Sequence, residues 1–164
     1  MKTFLSALTG LTLAALAVSS GAAQLADRKA LTLEVAKQIA SAAEAEAVKN
    51  KWTVAIAIVD DGGNLVYLEK IDETQIGSIN VAIGKAKTAV SFKRPTKAME
   101  DAIAGGRNAL LTLGQAGALT LEGGLPITFD GKVIGAIGVS GVKSNEDAQV
   151  AKAGVDALPG ILGK

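Results

Sequence analysis

Apolar positions in this chain follow two different periods, and the switch between them predicts its elements. Leu31, Val35, Ile39, Ala43 and Ala47 recur at helical spacing, which predicts an amphipathic helix. Thr32 is placed to cap it, with Glu34 in the first turn, where a carboxylate meets the positive end of the helix dipole. Asn50-Lys51 closes it. Val54 to Val59 is apolar at every position, the mark of a central strand covered on both faces. Asp61-Gly62-Gly63-Asn64 then turns the chain into Leu65–Lys70, giving a hairpin. Ile76, Ile79, Ile83, Ala86 and Val90 mark a second helix that stops before Arg94-Pro95, because the residue preceding proline avoids the helical conformation. Thr96 is placed to cap a short third helix to about Ala104, closed by Gly105-Gly106. Arg107 to Gln115 reads either as an irregular turn of helix or as loop.

Ala118–Leu121 is expected to form a third strand. Leu125–Phe129 and the run from Val133 to Val139 make a second hairpin about Asp130-Gly131, a two-residue type I′ turn signal. Gly135 and Gly138 sit oddly in that last strand. Each costs strand stability, so each suggests close approach by another backbone, a helix or a flat ligand. Ser144 with Asp147 resembles a capping box opening a final helix that carries Val150, Ala153 and Leu158 and ends at Pro159-Gly160. The order helix, strand, strand, helix, helix, three strands, helix predicts an α+β fold: a five-stranded, mostly antiparallel sheet with helices packed on it.

Met1 to Ala23 has the pattern of a secretory signal peptide: Lys2, an apolar run from Phe4 to Val18, then Ser19-Ser20-Gly21-Ala22-Ala23 for cleavage. The run is short for a span, which needs about 20 apolar residues. No Arg pair precedes it and no Cys follows it, which fits general export better than the twin-arginine route or a lipoprotein. The expectation is a periplasmic or secreted protein with residues 24–164 as one domain and no stable membrane insertion after cleavage. Charge is nearly balanced, 17 basic against 16 acidic side chains; without a basic run there is no electrostatic case for nucleic acid. The chain has no Cys and no His. That excludes disulfides, thiolate chemistry, Ser-His-Asp catalysis and His-ligated zinc or haem. Asp60, Asp61 and Asn64 lack the alternation and the distal Glu of a calcium loop, so no metal site is expected.

The region holding Lys85, Lys87, Thr88, Phe92, Arg94 and Thr96 is the best candidate for chemistry. Lys85, Thr88 and Phe92 are three and four residues apart and share one helical stripe. An ammonium, a hydroxyl and an aromatic ring on one stripe suit a planar molecule with acidic substituents. Arg94, just past the helix end, carries a fork that matches a carboxylate. The same residues also read as a half-buried helix with solvated lysines and Phe92 in the core. Gly123 and Gly124 either bring a backbone close to a ligand or form a turn into an edge strand.

Four blocks in order resemble the GlcG/HbpS-type haem-binding (also haem-degrading) family, which includes the C-terminal domain of PduO-type corrinoid adenosyltransferases. They are Leu31-Thr32-Leu33-Glu34, Val54 to Leu65, Lys85 to Thr96, and the glycine-rich hairpin Gly123 to Gly141. The resemblance runs from about Leu31 to Gly154. It implies a profilin-like or PAS-like sandwich, a homo-oligomer, and haem or a related tetrapyrrole as ligand. The implied roles are sequestration, sensing or delivery, with a secreted or membrane sensor as a partner. It also implies a threonine hydroxyl at the haem iron five residues before Gly123-Gly124. This chain has Ala118 there, with Thr120 two positions on and so on the same face of a strand. Tyr67, Met99 and the lysines remain as iron ligands by type, although Tyr67 reads as a strand aromatic and Met99 as core. Haem, if bound, is then weakly ligated. Two alternatives stand beside this reading: an enzyme that degrades haem or acts on a small organic acid, and a ligand-free accessory protein of a secreted or periplasmic complex. With no His, no Cys and no evident carboxylate pair, the residues favour binding over catalysis.

Overall fold

The computed structural model describes residues 23–164, so the signal-peptide reading lies outside the described residues but for Ala23. The strands β1 (Ala55–Asp60), β2 (Leu65–Lys70), β3 (Gly124–Phe129) and β4 (Lys132–Ser140) form one antiparallel sheet in the order β2-β1-β4-β3. The helices are α1 (Leu33–Lys49), α2 (Gly77–Phe92), α3 (Lys97–Ala104), α4 (Ser144–Asp156) and the short α5 (Leu158–Ile161), with a 3-10 helix over Asn108–Ala116. The class is α+β as expected.

The two faces of the sheet differ in side-chain size, and that difference sorts the helices. On one face Ile56, Ile58, Ile137 and Val139 pack with Ile39, Ala43 and Ala47 of α1 and Val150 and Ala151 of α4 in the largest core cluster. On the other, Ala55, Ala57, Val59 and Ala136 meet Ala82, Ala86 and Ala89 of α2. Small residues let that helix come close. Gly138 marks the tightest point: a Cβ there would lie 2.1 Å from the Ala82 carbonyl oxygen and 2.5 Å from the Ala86 nitrogen. The glycine is therefore explained by helix-on-sheet packing.

The turns follow their chemistry. Thr32 Oγ1 accepts a hydrogen bond from Val35 N at 3.3 Å, capping α1. Asp130 and Gly131 have φ of 47° and 73°, as a type I′ turn requires. Asp60 Oδ1 accepts from the backbone N of Gly62 and of Asn64, and these bonds hold its carboxyl below the usual carboxylate range.

Three expectations are corrected. Ala118–Leu121 is not a strand, and among the described residues the sheet has four strands rather than five. Side chains take its backbone donors instead: Leu119 N donates to Thr88 Oγ1 at 2.7 Å, and Glu122 N donates to Glu100 Oε2. Thr96 does not cap α3 through its side chain; its hydroxyl accepts from Gly124 N at 3.0 Å. In α4 it is Glu146, not Asp147, that reaches back to the backbone N of Lys143, because Asp147 is turned inward.

Candidate functional site

The stripe Lys85, Thr88, Phe92 runs from the protein interior to an open cleft. At its inner end Lys85 is 2% exposed. Its Nζ donates to Asp147 Oδ2 at 2.7 Å and to the Val139 carbonyl at 3.0 Å. The second oxygen of Asp147 accepts from Val142 N at 3.1 Å, so the pair is well supplied with partners. Burial still outweighs Lys85 and pushes the Asp147 carboxyl above the usual carboxylate range. The pair ties α2 on one face of the sheet to α4 on the other.

Gly123 and Gly124 make room for that tie. A Cβ on Gly123 would lie 2.8 Å from Lys85 Nζ and 3.0 Å from Asp147 Cβ; one on Gly124 would lie 2.4 Å from the Lys85 carbonyl oxygen. Gly123 also has φ of 123°, which side-chain-bearing residues rarely adopt. Thr96 closes the node, fully buried, with its N donating to the Gly124 carbonyl at 3.0 Å. Lys85, Thr96, Gly123 and Gly124 thus come together, and the chain's own atoms fill the space before both glycines.

The outer end of the stripe is open. Thr88, Phe92, Lys87 and Ser91 of α2 face the β1–β2 turn at Gly62, Gly63 and Asn64 and the end of the 3-10 helix at Ala116 to Ala118, around a cleft of about 570 Å³. That lies within the range of about 300–1,000 Å³ typical of small-molecule sites. Its walls are small or apolar apart from Asn64, Lys87, Thr88 and Ser91. The Thr88 hydroxyl donates to the Gly84 carbonyl at 2.8 Å while accepting from Leu119 N, so it positions the Ala118–Leu119 backbone. Lys87 and Ser91 are exposed, and Lys87 forms no ion pair among the described residues. Arg94 is exposed just past Phe92, its Nε donating to the Phe92 carbonyl at 3.2 Å. Thr120 is half-buried in the segment after the cleft.

The chemistry of the cleft suits a flat, largely apolar molecule bearing carboxylates. A ring can lie against Phe92, Gly63 and Ala118, while Lys87 on the lining can meet acidic substituents by charge-assisted hydrogen bonds, and Arg94 lies just outside the lining residues. No imidazole or thiolate exists in the chain to bind iron. Tyr67 lies on β2 with its hydroxyl donating to Glu69 at 3.0 Å, and Met99 is 5% exposed in α3; neither lines the cleft. Among the described residues there is no group of three or more acidic side chains placed to hold a metal ion. Of the residues singled out in the sequence, Thr88, Phe92 and Lys87 line this cleft. Sequence reasoning missed the Gly62 to Asn64 turn and the Ala116 to Ala118 wall, which only the fold brings beside α2, and it read Asp147 as a capping residue.

Comparison with known proteins gives the family. Residues 31–156 match the family model described as haem degrading protein HbpS-like. Protein GlcG of Escherichia coli is 43% identical over 111 residues, covering 67% of this chain and 81% of GlcG. A crystal structure of a double mutant of Streptomyces reticuli HbpS superposes with a TM-score of 0.76 at 35% identity, covering 88% of this chain and 98% of that one. A crystal structure described as a PduOC–haem complex gives a TM-score of 0.73 at 28% identity, covering 79% of this chain and 95% of that one.

Proposed function

The chain belongs to the family of HbpS-like haem-degrading proteins, and from that premise we propose that it binds haem or a related tetrapyrrole in the cleft between α2, the β1–β2 turn and Ala116 to Ala118. The observation that carries this reading is the pairing of a Phe92-walled cleft of about 570 Å³ with an exposed, unpaired Lys87 on its rim. Apolar contact holds the macrocycle, and Lys87 and Arg94 hold the propionates. Bound haem would supply an iron centre, and this chain's part is to seat and orient it. With no imidazole or thiolate in the chain, iron is weakly ligated. The protein acts in sequestration, sensing or delivery rather than as an electron-transfer cytochrome.

The leader pattern of residues 1–23 supports a periplasmic or secreted setting. Exposed apolar side chains support self-association into a homo-oligomer: Ile76 is 82% exposed, Leu111 59%, Leu65 46% and Leu121 44%. A sensor protein is the partner that a sensing role would need. Titration of the mature protein with haemin, followed by its absorption spectrum, tests the ligand. A saturable band shift at one haemin per chain is expected; a spectrum identical to haemin in buffer at every ratio overturns the reading.

A further inference from the structure

We propose that a second cleft, on the other flank of the α2 C-terminus, binds a small amphipathic acid with an apolar body and one anionic group. This cleft measures about 580 Å³ and is formed by the segment Ala26–Lys29, the end of α2 and the β3–β4 hairpin. It shares no lining residue with the cleft assigned to haem, so the proposal stands independently of that assignment. Its size again fits a small molecule rather than a peptide or a protein surface.

The floor is apolar. Val90 and Ile134 are buried at its base, with Phe129 and Val133 half-buried beside them. The rim is basic. Arg28 is matched by Asp61, whose Oδ2 lies 2.6 Å from Arg28 Nη1. That leaves Lys29, Lys93 and Lys132 against Asp27 alone, and none of the three lysines forms an ion pair among the described residues. Lys164, whose ammonium stands 4.0 Å from the Phe129 ring centroid, is matched by Asp130 at 3.6 Å and adds nothing to that excess. Excess positive charge around an apolar floor selects a ligand with the opposite charge and an apolar remainder.

Lys93 is one of the cleft's lining lysines and closes α2. It is a non-glycine residue in the left-handed region, with φ of 51° and ψ of 40°, and its N–H caps the carbonyls of Ala89 and Val90. The end of α2 therefore offers the cleft a lysine, where uncapped carbonyls would repel an anion.

The test uses anilinonaphthalene sulfonate, an aromatic body with one fixed negative charge, beside its neutral relative N-phenylnaphthylamine. Both are titrated by fluorescence into the full-length mature protein. The expected result is saturable binding of the sulfonate, weakened about tenfold or more in Lys93→Asn/Lys132→Glu and unchanged in Lys37→Glu, which alters charge on α1 across the sheet. Asn is chosen because it tolerates the left-handed backbone. Thr128→Trp, an exposed strand position that fills the cleft without changing charge, should abolish binding. The proposal is overturned by sulfonate binding that both variants leave unchanged, by equal affinity for the neutral relative, or by no saturable binding. Melting curves matching wild type establish that each variant is folded.

Discussion

The Lys85 ammonium stands 2.7 Å from the Asp147 carboxylate with both side chains at most 3% exposed, and it reaches that partner from a helix on the opposite face of the sheet. The passage exists because Gly123 and Gly124 carry no side chains where β3 begins. One ion pair thus sets how α2, the helix that shapes both clefts, sits on the sheet and on α4.

Breaking this pair should be costly while replacing it should not. Lys85→Met leaves Asp147 buried without its cation, and a loss of about 3–5 kcal/mol is expected. The double variant Lys85→Met/Asp147→Leu, with both charges gone, should regain most of that stability. Urea unfolding of the two variants checks it. A double variant as unstable as the single would show that shape, not charge, is what the site requires.

Gly138 and Gly114 should respond oppositely to alanine. At Gly138 the new methyl meets the backbone of Ala82 and Ala86 and must push α2 off the sheet. A loss of about 3 kcal/mol or more is expected, at the high end of overpacking. Gly114 has nothing within 4 Å and no positive φ, so Gly114→Ala should be neutral or stabilising by about 0.4–1 kcal/mol. Thermal melts of the two variants decide it.

Glu69 gives the fold a pH dependence of known sign. Burial raises its carboxyl above the ordinary value of 4.5, against the lowering effect of the Tyr67 hydroxyl, and its Oε1 is buried without a partner. A raised folded value means the folded state holds the proton more tightly than the unfolded one. Its contribution is therefore complete below 4.5 and is lost as pH rises through the raised value. Glu69→Gln, which keeps an acceptor for Tyr67, should melt higher than wild type at pH 8, with the difference closing below about pH 4.5. A gap that is constant across this range would contradict the assignment.

The sheet's two central strands were legible because Val54–Val59 is apolar at every position and because Gly135 and Gly138 interrupt an apolar run where another element comes close; that small side chains share one face and large ones the other is shown only by the fold. The turn at Asp130-Gly131 was legible from local backbone preference alone. Ala118–Leu121 misled, since its alternation of small and large residues looks like a strand; the hydroxyl of Thr88 and the carboxylate of Glu100 claim its donors, and these lie far away in sequence. Lys85 misled for the same reason. A lysine on a helical stripe reads as solvated until its carboxylate, 62 residues later, is placed beside it. The cleft was half legible: Phe92, Thr88 and Lys87 share α2, whereas the opposing walls come from two other segments.

Carboxylate recognition in the α2 cleft proposed for haem should fall to Lys87 and, just outside its lining, Arg94. Losing one charge-assisted hydrogen bond costs about 1.5–3 kcal/mol, or roughly tenfold or more in affinity. Lys87→Ala and Arg94→Ala should each weaken haemin by that factor. Equilibrium dialysis that finds wild-type affinity in both would remove propionate pairing from the account.

The central claim is that haem sits against Phe92 in the α2 cleft, and spectral titration of haemin into wild type and Ser91→Trp side by side tests it most directly. Ser91 is an exposed lining residue, so tryptophan there fills the cleft and spares the core. The account predicts one saturable haemin per chain in wild type, without the spectrum of iron held by two strong nitrogen ligands, and loss of that binding in a folded Ser91→Trp. Haemin binding that Ser91→Trp leaves intact, or a wild type that never saturates, would contradict it.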